Sequence, residues 1–299
     1  MIAIFRNPNI NFLGNRKKAY IFSLILIIIG IIGIIARGGF KYGIDFTGGT
    51  LIQVRFEKAL DIAVVRKAIS DIGLNAEIQS FGDANTYIIK YHVERDADEM
   101  VSSLSKATGL AVSLERNETV GPSVGKELQK KAFVAIFVGL VLMLLYIWFR
   151  FDFKFGLGAI IALFHDVFIT IGIYTLLGKE ITIPIVAALL TILGYSINDS
   201  IVISDRIRDH LKKFGKVIPY GKVEEIFNRA VNDTLSRTII TSFTTLLVLL
   251  SILIFGGPVI FDFAFALAIG VIIGTYSSIF VVAALVVDWM QFQRRKAKS

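Results

Sequence analysis

Six long apolar stretches restrict the fold of this chain more than any other feature. They span residues 19–36, 132–149, 155–177, 181–204, 235–255 and 261–287. A helix needs about 20 mostly apolar residues to cross a hydrocarbon core of roughly 30 Å. In lipid the backbone polar groups must be satisfied internally, which a helix achieves within one segment. The sequence therefore predicts a polytopic α-helical membrane protein with six transmembrane helices.

The composition agrees with this class of protein. Hydrophobic residues make up 55% of the chain and charged residues 19%, whereas soluble domains have about 45–50% and 25%. The net charge of +8 is concentrated in short connections, which argues against a continuous nucleic-acid-binding face. Cysteine is absent, so neither a disulfide framework nor a thiolate metal site is expected. The first stretch is longer than a signal-peptide core and is interpreted as an uncleaved anchor.

The basic residues outside the spans predict an orientation. They cluster before the first span, between the second and third, between the fourth and fifth, and after the sixth, while the two short turns opposite contain only Lys179. Short cytoplasmic loops carry such an excess. We predict cytoplasmic segments at 1–18, 205–236 and 288–299, both termini on that side, and a five-helix bundle at 132–287. Residues 224–231 have helical spacing and are expected to lie along the membrane surface.

Residues 37–131 are long, charged and predicted to lie on the outer side. Strand-like alternation occurs at 50–56, 76–81, 86–93 and 111–118, and helical spacing at 61–72 and 96–108, with Asp61 as a helix N-cap. The order βαββαβ is that of a ferredoxin-like α+β domain. We therefore predict one extracytoplasmic ferredoxin-like domain between the first and second transmembrane helices. This fold hosts many functions and does not define one.

Signatures of soluble enzymes are missing from the sequence. Residues 121–127, GPSVGKE, resemble a phosphate-binding loop but lack its spacing and its Ser or Thr. We predict a protein that is not an enzyme, with no catalytic residue, no metal and no cofactor.

Ionisable residues inside the spans are the functional candidates, because they are costly there. His165 and Asp166 lie near the middle of the third span, and Asn198 and Asp199 lie toward the inner end of the fourth. Arg237 is predicted to point into the bundle, because it belongs to a polar stripe that opens the fifth span at steps of three and four. The stripe consists of Thr234, Arg237, Thr238, Thr241, Ser242 and Thr245. An Arg near a carboxylate favours its ionised form, so these residues are candidates for a proton relay. A snorkelling Arg237, a hydrogen-bonded interior His165 and structural carboxylates are the alternatives.

The sixth span carries small residues at steps of four, namely Ala266, Gly270, Gly274 and Ser278. Small residues at this spacing let helix backbones approach closely. We interpret them as packing positions.

Several segments resemble the SecF family of protein-export membrane subunits. They are 11–18 (NFLGNRKK), 42–49 (YGIDFTGG), 120–125 (VGPSVG), 164–166 (FHD), 194–199 (GYSIND), 204–208 (SDRIR), 235–238 (LSRT) and 255–258 (FGGP). They occur in the order of the family, from about residue 11 to 278. Gly43, Asp45, Gly48 and Gly49 carry the motif after the first span.

The resemblance implies a function and partners. SecF proteins belong to the RND superfamily, pair with SecD, and associate with the SecYEG channel and with YajC and YidC in the cytoplasmic (inner) membrane. The pair uses the proton-motive force to promote export of unfolded preprotein. The proton path of the family then falls on Asp199 and Arg237. The expected partners are SecD, the channel, preprotein, protons and membrane lipids, and no nucleic acid.

Two other functions fit the same sequence. The first is a proton-coupled small-molecule exporter subunit of the RND superfamily, and the second is a passive scaffold of the channel. The single outer domain of about 95 residues weighs against the exporter. No internal repeat stands out, so six spans fit one half of a pseudo-symmetric assembly.

Overall fold

The structure is a computed structural model that describes residues 8–92, 95–214 and 222–296. Parts of the predicted cytoplasmic segments 1–18, 205–236 and 288–299, and the end of the predicted strand 86–93, lie outside these residues. In chain order the elements are α1 (Arg16–Ala36), α2 (Ile44–Thr47), β1 (Gly49–Phe56), α3 (Ile62–Asp71), β2 (Ala76–Ser80), β3 (Thr86–Tyr91), α4 (Ala97–Thr108), β4 (Val112–Val120), α5 (Pro122–Arg150), α6 (Phe153–Leu176), α7 (Ile183–Lys213), α8 (Lys222–Phe255), α9 (Pro258–Ser277), a π-helical turn (Ser278–Val282) and α10 (Ala283–Lys296).

Within the described residues, six helical stretches are long and apolar enough to span a membrane. They are α1, α5, α6, α7, α8 and the continuous run from α9 through the π-helical turn into α10. The predicted number and order of spans are confirmed. Helix α5 begins at Pro122, well before the predicted residue 132, because proline fits the first turn of a helix.

The described part of the predicted cytoplasmic segment 205–236 is helical for most of its length and does not form a loop. Helix α7 continues to Lys213 and α8 begins at Lys222. Residues 224–231 are helical but belong to α8, and their apolar side chains are buried: Phe227 is fully buried in the core. The charges that suggested a loop lie on the other face, where Arg206 pairs with Asp233 at 2.6 Å. Amphipathic helix ends explain both features.

The outer domain is a four-stranded antiparallel sheet in the order β2-β3-β1-β4, with α3 and α4 on one face. This strand order is ferredoxin-like, as predicted. Alternate residues of β1 and β3 point toward the helices, and Ile52, Val54 and Ile89 are fully buried there. The Asp61 carboxylate accepts a hydrogen bond of 2.7 Å from the Ala63 amide, which confirms the predicted N-cap.

Helices α7 and α9 form the centre of the membrane bundle. A Cβ atom built on Gly270 would lie 2.2 Å from Ile192 Cδ1, and one built on Gly274 would lie 3.2 Å from Ser196 Cβ. The small side chains therefore let α9 approach α7 closely. This contact places Asp166 of α6, Ser196 of α7 and the end of α9 around one point.

Candidate functional site

Asp166 is the centre of a buried hydrogen-bond network. Its side chain has no exposed surface. Oδ2 accepts hydrogen bonds from Ser196 Oγ at 2.5 Å and from Ser277 Oγ at 2.7 Å, and Oδ1 lies 2.8 Å from His165 Nδ1. Both carboxylate oxygens therefore have partners, supplied by α6, α7 and α9. A buried carboxylate satisfied in this way holds the three helices in one arrangement.

The network continues from His165 into α1. His165 Nε2 lies 3.0 Å from Ser23 Oγ, which lies 3.0 Å from the Tyr276 hydroxyl. Tyr276 donates to the Ala19 carbonyl oxygen at 2.7 Å. His165 is thus hydrogen-bonded at both ring nitrogens, as the interior-histidine alternative requires. Sequence analysis missed Ser23, Ser277 and Tyr276. Ser23, a serine in an otherwise apolar span, is the sequence signal that could have indicated this network.

Asp199 has a different environment from Asp166. Its side chain is buried at 3% exposure, yet its Oδ2 atom has no hydrogen-bond partner. The hydroxyls of Ser200 and Thr238 are also buried and unpartnered. Buried polar atoms without partners are rare and costly, and at a site like this they indicate a function or a missing partner. The sequence did not distinguish Asp166 from Asp199, whereas their hydrogen bonds do.

Arg237 is the cation that acts electrostatically on Asp199. No ion pair joins the two side chains, both of which lie in the described part of the chain. The prediction that Arg237 points into the bundle is wrong for this chain, because Arg237 is exposed. The polar stripe of α8 is split. Thr234, Thr238 and Ser242 are buried, whereas Arg237 lies on the surface next to the partly exposed Thr241.

Helices α7 and α8 therefore present polar groups on the outside of the bundle. Asn198 and Thr191 of α7 are exposed, as are Arg237 and Thr244 of α8. Asp199, which follows Asn198 directly in α7, is buried. Polar side chains at membrane depth normally face protein or a water-filled cavity. The exposed polar side chains of α7 and α8 therefore form a surface that is poorly suited to lipid.

A second hydroxyl network joins α7, α8 and α9. Tyr195 donates to Ser242 Oγ at 3.2 Å, and Ser242 Oγ lies 2.6 Å from Thr275 Oγ1. The network involves α7 and α8, the two helices that also carry the unpartnered atoms of Asp199 and Thr238. The stripe of α8 predicted Ser242 as an interior polar residue, but nothing in the sequence indicated Thr275 as its partner.

A set of hydrogen bonds connects residues 41–45, which precede the sheet of the outer domain, to residues 181–183 at the start of α7. We call these two segments and their contacts the clip. The Gly43 amide donates to the Ile181 carbonyl at 2.9 Å, and the Ile181 amide donates to the Lys41 carbonyl at 2.7 Å. Asp45 Oδ2 accepts a hydrogen bond of 2.8 Å from the Ile183 amide. Ile183 is the first residue of α7, and its own N-cap residue makes no side-chain hydrogen bond. Asp45 therefore caps the helix that carries Asp199 from a distant part of the chain.

Glu180 adds an electrostatic contact to this clip. Its Oε2 lies 2.6 Å from Lys90 Nζ of β3, and its Oε1 lies 3.2 Å from Lys41 Nζ. Burial raises the pKa of the Glu180 carboxyl, but the hydrogen bonds from Lys90 and Lys41 outweigh it and hold the pKa below its ordinary value of 4.5. The ionised carboxylate therefore joins the sheet to the α6–α7 connection.

The glycines after the first span permit the close approach of these segments. Gly48 and Gly49 have φ values of +75° and +137°, a region that other residues rarely adopt. A Cβ atom on Gly43 would lie 2.6 Å from Thr182 Cγ2, and one on Gly48 would lie 2.9 Å from Pro122 Cα. The backbone of the clip thus packs directly against α5 and α7.

These features define a multi-pass membrane protein with ionisable groups in its interior and one ferredoxin-like domain outside the bundle. Ion-coupled transport proteins belong to this class. Within the described residues, no group of three or more His, Cys, Asp and Glu side chains is placed to hold a metal ion.

Comparison with known proteins identifies the family. Residues 100–292 match the family described as "Protein export membrane protein SecD/SecF, C-terminal", and residues 33–59 match the "SecD/SecF GG Motif". The second match contains the clip glycines. The protein translocase subunit SecF of Calditerrivibrio nitroreducens is 43% identical over 95% of each chain. That of Escherichia coli O157:H7 is 41% identical over 87% of this chain and 82% of its own. The chain belongs to the SecD/SecF family.

Longer relatives contain a region that is similar to this chain. The protein translocase subunit SecDF of Thermus thermophilus is 43% identical over 98% of this chain, which spans 40% of its length. A crystal structure of SecDF, a translocon-associated membrane protein, superposes with a TM-score of 0.84 at 43% identity over 95% of this chain and 39% of that one. A SecDF structure in a super-membrane-facing form gives 0.72 over 98% and 40%.

Proposed function

We propose that this chain is an auxiliary subunit of the Sec protein-translocation machinery, using the proton-motive force with SecD to promote polypeptide export. The observation that carries the proposal is the buried Asp199 carboxylate, whose Oδ2 atom has no partner and whose neighbouring cation is Arg237. The names of the SecF and SecDF relatives support the translocation role. No chemical step is assigned to the chain, which acts as a non-enzymatic subunit.

Asp199 and Arg237 form the proton-exchanging pair in this proposal. An ionised Asp199 attracts Arg237 across a medium of low dielectric, and protonation removes that attraction. The unpartnered Oδ2 atom is the one that would accept the proton. Asn198, exposed beside Asp199, lines the same route. Asp166 and His165 lie next to this route and serve as the fixed hub that keeps α6, α7 and α9 together.

SecD is the partner that completes the site. The exposed polar surface of α7 and α8, with Asn198 and Arg237, is unsuited to lipid. A second six-helix bundle packed there would bury Arg237 close to Asp199. The Thermus SecDF relative carries further sequence that could supply such a bundle, because this chain spans only 40% of its length. A pseudo-symmetric pair of bundles is a common transporter design.

The clip supports a route from the proton site to the outer domain. Asp199 lies on α7, and the first residue of α7 is held by Asp45 and flanked by Ile181 and Glu180. A tilt of α7 on protonation therefore pulls on the sheet through three hydrogen bonds and two ion pairs.

The energy of one proton is sufficient to bias such a tilt. One elementary charge that crosses 100 mV gains about 2.3 kcal/mol, which shifts an equilibrium by roughly fiftyfold. Large steps need several protons per cycle. The proposal therefore describes a subunit that changes the population of two arrangements rather than one that drives a single forceful stroke.

The remaining assignments complete the proposal. Both termini lie in the cytoplasm, with the domain at 37–131 on the outer side of the cytoplasmic membrane and the bundle at 132–287 within it. The preprotein, the SecYEG channel, YajC and YidC are the further partners. The basic residues at the cytoplasmic flanks support this orientation.

Replacing Asp199 with Asn tests the proton role. Asn has nearly the same shape but takes up no proton. Export of a preprotein into vesicles that contain the translocation machinery is measured with and without a proton gradient. We expect Asp199→Asn to abolish the gradient-dependent increase in export while gradient-independent export persists. Asp262→Asn is the matched control, because Asp262 is a carboxylate of α9 that pairs with Lys179 at 2.5 Å, away from Asp199.

Gradient-dependent export at the wild-type level in Asp199→Asn would contradict the proton role and favour a passive scaffold. Export that never depends on this chain, together with loss of efflux of a small molecule, would favour an exporter. Asp199→Asn is also purified to see whether SecD stays bound. Retained SecD shows that the complex still assembles, so that a loss of gradient-dependent export results from the change at Asp199.

A further inference from the structure

An apolar cleft separates α5 from α6 and α7 at the end of the bundle that carries the outer domain. Its volume is about 470 Å³, within the range of roughly 300–1,000 Å³ that is typical of ligand sites. Ala132, Phe133 and Ile136 of α5 form one wall, and Ile171 of α6 and Leu189 of α7 form the other. A deeper apolar cavity of about 90 Å³ shares Ile136, Ile171 and Leu189 with the cleft. The two cavities follow one another toward the middle of the bundle.

Helix α5 is attached mainly at its two ends. Near one end Gly125 is buried, and a Cβ atom there would lie 2.9 Å from the Gly48 nitrogen. At the other end Ile147 is buried and Arg150 pairs with Asp205 at 2.5 Å. No residue of α5 between Gly125 and Ile147 is fully buried. The protein therefore leaves the space beside the middle of α5 unfilled, and an unfilled apolar space forfeits dispersion contacts.

The mouth of the cleft is positively charged. Lys126, Gln129 and Lys130 line it, within the six residues that precede the apolar part of α5. Both lysines are exposed, and neither takes part in an ion pair within the described part of the chain. Phe40 and Tyr42 also line the cleft, and aromatic side chains of this kind are enriched at membrane interfaces. A cationic mouth above an apolar channel matches a molecule with an anionic head and a hydrocarbon tail.

We propose that this cleft is a binding site for one anionic phospholipid. Its headgroup contacts Lys126 and Lys130, and one acyl chain lies between α5 and the α6–α7 wall as far as Ile136. Water is an unsuitable occupant, because an apolar cavity of this kind stays dry. A second protein helix does not fit the deeper cavity, whose volume is only about 90 Å³. The bound lipid fills the wedge that the sequence leaves beside α5.

Fluorescence quenching by brominated lipids tests this site in the full chain. Phe133→Trp places a reporter in the cleft wall, and Trp148→Phe with Trp289→Phe removes the two native tryptophans. The protein is reconstituted with brominated phosphatidylglycerol or brominated phosphatidylcholine at equal mole fractions. Each juxtamembrane lysine strengthens binding of an anionic lipid roughly fivefold. We expect a preference for phosphatidylglycerol of roughly 25-fold, which Lys126→Gln with Lys130→Gln removes.

Lys131→Gln is the matched control. Lys131 is the residue after Lys130 in α5, but it pairs with Glu127 at 2.8 Å and does not line the cleft. It should keep the full preference. A second measurement guards against misfolding: native mass spectrometry should find one retained phosphatidylglycerol in the wild type and in Lys131→Gln, and none in Ile136→Phe, which fills the cleft. Equal quenching by both lipids in the wild type would overturn the proposal. So would a photo-crosslinker at residue 133 of the assembled complex that captures a partner subunit and no lipid.

Discussion

The Asp45 carboxylate accepts a hydrogen bond of 2.8 Å from the backbone amide of Ile183, 138 positions later in the chain. A residue next to the outer domain thus supplies the cap for a membrane helix. The helix is α7, which carries Asp199 and Ser196. Capping normally involves residues adjacent in sequence, so a cap from a remote segment indicates a mechanical connection between the two parts. The predictions below address this connection and the two buried carboxylates.

Replacing Asp45 with Ala should loosen the start of α7. Loss of an N-cap costs about 0.5–2 kcal/mol, and we expect faster hydrogen exchange at the Ile183 amide and a smaller gradient-dependent increase in export. Asp61→Ala is a matched control, because it removes an equivalent cap of 2.7 Å from α3 within the outer domain. Similar export in the two variants would contradict a special role for Asp45.

The contact of Glu180 with the outer domain should depend on pH. Lys90 and Lys41 hold the Glu180 pKa below 4.5, so the unfolded state binds its proton at a higher pH than the folded state. The stabilisation is therefore complete above about pH 4.5 and is lost as the pH falls through the lowered value. We expect the hydrogen-exchange protection of the Gly43 and Ile181 amides to fall in that acidic range.

Glu180→Gln should show reduced protection at neutral pH and little further change on acidification, since hydrogen bonds to charged groups contribute about 1.5–3 kcal/mol. Glu115→Gln is the control. The pKa of Glu115 is also lowered, by the Arg55 hydrogen bond, but Glu115 does not contact the clip. An unchanged acidic response in Glu180→Gln would show that another group is responsible.

The two buried carboxylates should respond in opposite ways to amide substitution. Asp166→Asn disturbs hydrogen bonds from Ser196, Ser277 and His165, and we expect a loss of about 1.5–3 kcal/mol in the free energy of unfolding. Asp199→Asn removes a buried charge whose Oδ2 has no partner, so stability should stay constant or rise. Thermal unfolding of the isolated chain in detergent measures both variants. Equal destabilisation would contradict the division into a structural hub and an exchanging group.

Contact between α9 and α7 should limit the size of residue 270. Gly270→Ala places a Cβ atom 2.2 Å from Ile192 Cδ1, and overpacking of this kind costs about 1–3 kcal/mol. Gly194→Ala is the control, because no atom lies within 4 Å of its Cβ position. Alanine there should stabilise α7 by about 0.5–1 kcal/mol. Thermal unfolding of the isolated chain compares them, and a stable Gly270→Ala would show that α9 shifts freely.

Much of the fold follows from local properties of the sequence. The six spans follow from the length of the apolar stretches, since a 30 Å hydrocarbon core sets the length of a helix. The strands and helices of the outer domain follow from alternation, from helical spacing and from the cap residue Asp61. The small residues Gly270 and Gly274 indicated a close helix contact. All of these signals lie within one segment, which is the reason they are visible in sequence.

The tertiary structure decided what depends on separate segments coming together. Charge alone predicted a loop at 205–236, but the apolar faces of α7 and α8 bury Ile207 and Phe227 and keep both helices continuous. A polar stripe predicted that Arg237 points inward, yet Arg237 is exposed on the surface of this chain. Two aspartates of equal standing in sequence differ because Asp166 meets Ser196 and Ser277 from distant helices, whereas the Oδ2 atom of Asp199 meets no donor. The hydrogen-bond partners depend on how distant helices pack together, and no single segment of the sequence determines that packing.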